Sequence, residues 1–293
     1  MTTPFLDRLH AGQVLVADGA TGTNLQQRGL ERGVSSERWV LENPEQIVAL
    51  HRDFIEAGSD LILTSTFGAT TIRLEQSGLA GQAAEVNRQA VALARRATSQ
   101  AGPGTLVAAS IGPTGHLIKP LGPLDEEAAV AAFVAQAQVL AAAGVDLFVI
   151  ETQFDLTEAK AALRAVRSVT SLPVVVSFSY DRGTRTMMGV RPSVMAAELA
   201  DLGADVFGIN CGRSLEDNFK ALGELRSATQ LPIWFKPNAG LPVLDKDANP
   251  TYTVSPDQMG AQASTWIAAG AQIVGGCCGT SPAHLAAIAK AVK

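Results

Sequence analysis

Short apolar runs recur along this chain at intervals of 27 to 46 residues, and helix-forming stretches fill most of the gaps between them. Eight runs stand out, at 14–17, 60–64, 105–111, 146–150, 174–178, 205–209, 232–235 and 272–274. Each is rich in Val, Ile, Leu or Phe and nearly free of polar alternation, the pattern of parallel strands buried on both faces. Between them, 126–144 and 156–168 carry the alanine and leucine content that favours helix. The punctuation agrees. Asn43-Pro44, Ser255-Pro256 and Ser281-Pro282 each place a capping residue before a proline at the first helical position. Gly58, Gly144, Gly203 and Gly270 fall just ahead of the next strand, where a helix C-cap belongs. Eight strands alternating with helices predict an α/β fold, a (β/α)₈ barrel occupying residues 1–293 as a single domain. A doubly wound open sheet is the rival, but the first strand opens into Asp18-Gly19-Ala20-Thr21-Gly22, not a dinucleotide fingerprint. Segments 19–43 and 240–255 read as long loops on the rim that carries function in such barrels.

Composition narrows the class. The 293 residues are 47% hydrophobic and 17% charged, which supplies a large core and excludes disorder. A net charge of −5 with no basic block argues against nucleic acid. The uncharged, strongly apolar stretch 128–145 is rich in alanine, is broken by Gln136 and Gln138, and reads as a packed helix, not a membrane span. The N-terminus lacks the apolar core of a signal peptide. Three cysteines suit a reducing compartment without a disulfide framework, so a soluble cytoplasmic protein is expected.

Polar and reactive residues gather where the strands end. Asp18 follows the first strand, Glu151 the fourth, Asn210-Cys211 the sixth, Lys236 the seventh and Gly275-Gly276-Cys277-Cys278-Gly279 the eighth. Three thiolates suit a borderline-soft ion such as zinc, and three protein ligands leave an open fourth position, as in catalytic zinc sites. Adjacent side chains on an extended strand point oppositely, so Cys277 and Cys278 can share an ion only if the backbone turns sharply there. Gly275, Gly276 and Gly279 permit such a turn. Buried inert cysteines or a vicinal redox pair remain alternatives. Of the four histidines, none forms an HxxxH pair, and surface or capping roles are expected for all of them. Asp18 and Glu151 end apolar strands, where a carboxylate needs a cation: either a substrate ammonium or a salt bridge inside the barrel mouth. Lys236 is either a Schiff-base nucleophile or, more often for such lysines, solvated or paired.

Taken in order, Asp18-Gly19-Ala20-Thr21-Gly22-Thr23, Thr64-Ser65-Thr66-Phe67-Gly68-Ala69, Ile111-Gly112-Pro113-Thr114-Gly115, Glu151-Thr152, Gly208-Ile209-Asn210-Cys211, Pro237-Asn238-Ala239-Gly240 and Gly275-Gly276-Cys277-Cys278-Gly279-Thr280 resemble the homocysteine S-methyltransferase family. Within it they are most similar to the homocysteine-binding module of cobalamin-dependent methionine synthases. The Asn-Cys and Gly-Gly-Cys-Cys-Gly motifs carry the specificity, and the likeness runs from about Leu15 to the end. The resemblance implies a barrel with Zn2+ held by Cys211, Cys277 and Cys278, which activates the homocysteine thiol for methylation to methionine. It further implies Asp18 and Glu151 for the amino group, Thr66 and the turn after Asp18 for the carboxylate, and Asn210 beside the bound amino acid. Two departures stand out: Lys236 precedes Pro-Asn-Ala-Gly, and Gln153 follows Glu151-Thr152 where betaine-using relatives carry an aromatic residue directly after the glutamate.

The donor is read from what is missing. Only fifteen residues follow Cys278, so folate- or cobalamin-binding modules are expected to lie elsewhere. A betaine cage wants aromatic residues, which make up 5% of the chain. A methyl group arriving in trans on a methylated corrinoid protein is therefore favoured over S-methylmethionine and over betaine. A Schiff-base lyase using Lys236 and a non-catalytic zinc or amino-acid binding module are the rivals from other classes.

Overall fold

All eight apolar runs form strands, and all eight are parallel. The computed structural model describes residues 4–101, 104–244 and 250–293. The strands are β1 (Leu15–Val16), β2 (Leu61–Leu63), β3 (Leu106–Ile111), β4 (Leu147–Gln153), β5 (Val174–Phe178), β6 (Val206–Cys211) and β7 (Ile233–Pro237), then the short β8 (Pro242–Leu244) and β9 (Pro250–Tyr252), and β10 (Ala271–Val274). The order β1-β10-β7-β6-β5-β4-β3-β2 is that of a barrel unrolled at one seam. Across the seam, a parallel bridge joins Ala17 to Leu61, and Asp60 N–H donates to Val16 O at 2.6 Å. This is the expected (β/α)₈ barrel.

Strand boundaries shift for physical reasons. Asp60, Asp146 and Asp205, expected inside strands, stand just before them. Their carboxylates accept from the backbone N–H groups of Val16 (2.8 Å), Val107 (2.7 Å) and Val174 (2.8 Å) on the neighbouring strands. At the other end β4, β6 and β7 run past their apolar stretches and include Glu151, Cys211 and Lys236. Segment 19–43 is not one long loop, because it contains helices Thr21–Gln27 and Ser36–Glu42. Segment 240–255 contains the antiparallel β8–β9 hairpin, of which residues 245–249 lie outside the described residues. The stop signals hold: Gly58, Gly144, Gly203 and Gly270 all adopt positive φ beyond helix ends. Ser255 and Ser281 both complete capping boxes, the latter with His284.

Two apolar layers follow from the alternation of side chains along each strand. Leu147, Val149, Ala108, Val175 and Trp234 point into the barrel, which Phe5 and Leu9 of helix Pro4–His10 close from below. Phe148, Ile150, Val176 and Phe235 face outward and pack against the helices. With a period of two, the next inward positions above Ala108, Val149, Val175 and Trp234 are Ser110, Glu151, Ser177 and Lys236. The barrel interior thus turns from apolar to polar within one layer, and the site is built on that polar layer.

Candidate active site

The three cysteines converge. Their sulfur atoms all lie within 4.8 Å of one another, and each is half-buried at the C-terminal mouth of the barrel. Cys211 is the last residue of β6. Cys277 and Cys278 follow β10 in a tight turn: Thr280 N–H donates to Cys277 O at 3.1 Å, and Gly279 sits at φ +80°. That turn brings both adjacent side chains to the same side, as the glycines around them suggest. It is tied to the end of β7, where Cys277 N–H donates to Pro237 O (2.9 Å) and Ala239 N–H to Cys278 O (2.9 Å). A Cβ at position 276 would stand 2.4 Å from Thr280 Cγ2, so only glycine admits this approach.

Three half-buried thiols this close cannot all ionise without a cation. Hydrogen bonds from Cys211 and Cys277 push Cys278 down to about 3, while those same contacts, with burial, push Cys211 well up. A divalent ion would favour the thiolate form of all three. The donor set therefore fits a metal cluster, and no disulfide joins any pair.

Beside the sulfurs opens a cavity of about 470 Å³, lined by Asp18, Glu151, Lys236, Ser65, Phe67 and Tyr252 among others. Glu151 accepts from Ser110 Oγ at 2.5 Å. Burial pushes its pKa up to about 7, although Lys236 and the Ser110 hydroxyl pull the other way. Asp18 is committed on both oxygens: Oδ1 accepts from Lys236 Nζ at 2.6 Å and Oδ2 from Leu63 N–H at 2.8 Å. Lys236 is 2% exposed and lies 5.4 Å from the Trp234 ring centroid. Burial alone would lower its pKa, but Asp18 and Glu151 outweigh it and hold the amine above its ordinary value. Of the two alternatives for Lys236, the structure gives the paired one.

Cys211, Cys277, Cys278, Asp18 and Glu151 all meet at this cavity. Thr66 and Asn210 do not line it. The Thr66 hydroxyl points into the β2–β3 seam, donating to Ser110 O (2.7 Å) and sharing a hydrogen bond with Thr64 Oγ1. Asn210 is fully buried behind the sulfurs. His284 caps a helix as expected, with Nε2 against Val254 O at 3.0 Å. His51 is neither on the surface nor in a cap. It is buried with both ring nitrogens unpartnered, and burial lowers its pKa to about 4. Ser65, at the end of the second strand, and Ser110 line the cavity although the sequence reading gave neither a role. Ser110 had a signal, as the only polar residue in the run 105–111 after Thr105. Ser65 lines the cavity and its buried Oγ has no hydrogen-bond partner, which only the structure reveals.

A barrel whose mouth gathers three thiols beside a cavity presenting Asp18, Glu151 and Lys236 narrows the class of protein. Residues 15–292 match the homocysteine S-methyltransferase family, and the chain belongs to it. It is 31% identical to methionine synthase of Mycobacterium tuberculosis and 32% identical to that of Mycobacterium leprae, each across 99% of its length. It spans about a quarter of the length of those relatives, 25% in both cases. Among solved structures, the metallated form of the homocysteine methyltransferase MmuM from Escherichia coli superposes with a TM-score of 0.83 at 29% identity, covering 98% of this chain and 99% of that one. The fold alone is shared more widely, for example with the carboxyl transferase domain of Rhizobium etli pyruvate carboxylase at a TM-score of 0.55 and 16% identity. Among the described residues no helix is long and apolar enough to cross a membrane.

Proposed function

We propose that this protein transfers a methyl group to the thiol of homocysteine, giving methionine, with zinc held by Cys211, Cys277 and Cys278. The observation that carries this reading is the convergence of three thiols on a cavity that also presents Glu151. A free alkyl thiol has a pKa near 8.5, so only a few per cent is thiolate at neutral pH. Zinc, when bound, supplies the Lewis acidity that ionises the acceptor thiol at that pH. The chain's own residues do the rest. Glu151, steadied by Ser110, takes the substrate ammonium. Asp18 contributes its charge from beneath, shared with Lys236. Ser65, which lines the cavity and whose buried Oγ has no other partner, takes the carboxylate in place of Thr66. The sulfur then attacks the donor's methyl carbon. The S–C bond forms as the donor's bond to that carbon breaks, and the thiol proton leaves to solvent.

The donor favoured is a methylated corrinoid protein acting in trans. Its support is the distribution of exposed apolar residues. Among the described residues, all seven large ones (Leu121, Met187, Met188, Val194, Phe219, Leu241 and Val243) lie after β3, β5, β6 or β7, in rim loops or the first two turns of the next helix. Such a face suits a protein partner. The second reading, a small sulfonium such as S-methylmethionine, is favoured by Phe67 and Tyr252 in the cavity lining, since aromatic faces attract a cation. Betaine fits less well, because the residue directly after Glu151 is Thr152, not an aromatic, and Gln153 beyond it is a buried amide. A Schiff-base lyase is disfavoured by the charged, paired state of Lys236.

The test is a donor screen. Zinc-loaded protein and homocysteine are incubated separately with methylcobalamin, S-methylmethionine, S-adenosylmethionine and betaine. About one zinc per chain is expected, with loss of metal and activity together on replacing any one of the three cysteines by Ala. Full activity in metal-free protein would sink the mechanism. Turnover with betaine and none with methylcobalamin would overturn the donor, and zinc and homocysteine binding without turnover on any donor would favour a binding module.

A further inference from the structure

Among the described residues, only two other than glycine adopt positive φ: Thr152 and Cys211, both at 59°. Left-handed backbone is disfavoured for any residue with a Cβ and most of all for a β-branched one, so such residues persist only where their surroundings hold them. One sits beside Glu151 at the end of β4, and the other is a cysteine of the cluster at the end of β6. The same side chain grips both ends. Asn210 Oδ1 accepts from Thr152 N–H at 2.9 Å and from Ser177 Oγ at 2.6 Å. Its Nδ2 donates to Thr152 Oγ1 at 2.7 Å and faces the sulfurs of Cys211 (3.6 Å) and Cys277 (3.8 Å).

A carboxamide offers two acceptor lone pairs and two N–H groups, and every one of these is in use. The amide orientation is fixed by its partners, because Thr152 N–H requires an acceptor and thiolates require a donor. With 0% of its surface exposed and no place in the cavity lining, Asn210 has nothing left to offer a substrate.

We infer that Asn210 is a positioning residue: its carboxamide holds Thr152 in its left-handed conformation and donates toward the sulfurs of Cys211 and Cys277. It thereby fixes the ammonium-binding carboxylate and the metal-binding thiols in one frame. This rests on the reading of Cys211, Cys277 and Cys278 as metal ligands. Two consequences differ from those of a substrate contact. Removing the amide should make the thiolates more electron-rich, since an N–H directed at sulfur withdraws charge from it. It should also loosen Glu151 through the backbone of Thr152, and a glycine at position 152, at ease with positive φ, should relieve that second defect only.

The experiment loads the full chain with Co2+ and records the thiolate-to-cobalt charge-transfer band, metal retention against a chelator, and homocysteine affinity by titration. For Asn210→Ala we expect the band at longer wavelength, metal retention weakened about tenfold, and homocysteine affinity lowered about tenfold. Adding Thr152→Gly should recover most of the homocysteine affinity while the band stays shifted. Should Asn210→Ala fail to fold, Asn210→Asp keeps the acceptor contacts to Thr152 and Ser177 but loses the N–H. It should shift the band in the same direction. A folded variant with an unchanged band and unchanged metal retention overturns the inference, and so does a fall in homocysteine affinity that Thr152→Gly leaves in place. Failure of the unmodified chain to take up Co2+ or Zn2+ overturns the metal reading beneath it, and the inference with it.

Discussion

Asp18, Glu151 and Lys236 share the floor of one cavity, so each sets what the others can do. Glu151 carries a pKa near 7, raised chiefly by burial, against an ordinary value of 4.5. A carboxyl raised in this way stabilises the fold below its ordinary pKa and loses that contribution as pH rises through about 7. At pH 8 the ionised side chain costs roughly 3 kcal/mol in the metal-free protein, at 1.36 kcal/mol per pH unit. Glu151→Gln removes that titration. Its gain in stability over the unmodified protein should be about 2 kcal/mol larger at pH 8 than at pH 5, read from denaturant unfolding. In the same variant, homocysteine binding should weaken by about 1.5–3 kcal/mol, because a charge-assisted partner of the ammonium is lost. Stability that tracks the unmodified protein at both pH values would mean that Glu151 is not under this burden. Lys236 answers to different logic. Lys236→Met strands a buried, ionised Asp18 and should lower unfolding free energy by about 3–5 kcal/mol. Adding Asp18→Asn removes both charges together and should restore most of it, whereas a double variant as unstable as the single one would mean that Lys236 acts through packing.

At the scale of elements, the turn after β10 carries two of the three thiols. A side chain at position 279 would meet Tyr252 Cγ at 2.1 Å, in addition to the strain of φ +80°. Gly279→Ala should therefore displace β9 from the cavity mouth and cost more than about 1 kcal/mol of stability. Metal stoichiometry should fall with it, since Cys277 and Cys278 are aimed by this turn; full zinc occupancy in the variant would show that the cysteines do not depend on it. The turn was legible beforehand, because two adjacent cysteines flanked by glycines leave few other ways to share an ion. The eight strands were legible too, since burial on both faces leaves unbroken apolar runs. What could not be read was side-chain direction beyond the strand ends. Thr66 and Asn210 stand in motif positions beside cavity-lining neighbours, yet their polar groups turn into the barrel wall, where they hydrogen-bond the Ser110 carbonyl and the Thr152 N–H and, in Asn210's case, face the sulfurs. His51 lies on helix Pro44–Glu56, and nothing in its neighbours marks the face that is buried. The β8–β9 hairpin was hidden by its Pro, Asp and Asn content, which reads as loop.

The molecule as a whole separates stability from chemistry along the barrel axis. The reactive residues occupy the C-terminal ends of the strands, while the N-terminal ends repeat a single device. Asp60, Asp146 and Asp205 each accept a backbone N–H from the preceding strand and pair with an arginine from a helix: Arg8 at 2.7 Å, Arg95 at 2.8 Å, and Arg167. These ion pairs are partly exposed, so each contributes at most about 1 kcal/mol by charge alone. The backbone hydrogen bond matters more, because its donor is a strand N–H at the barrel floor that otherwise finds no acceptor. Asp146→Ala is therefore expected to cost about 1–3 kcal/mol, the penalty of an unsatisfied buried group, and Asp146→Asn distinctly less, since its carboxamide oxygen still accepts. Arg95→Gln, which loses only the ion pair, should fall below both. Because Val107, the donor to Asp146, lies three residues below Ser110 on β3, none of these changes should alter homocysteine affinity or metal content. Denaturant unfolding of the three variants, alongside a homocysteine titration of each, tests the separation. A variant at Asp146 that weakens homocysteine binding while remaining fully folded would show that the floor and the mouth of this barrel are mechanically coupled.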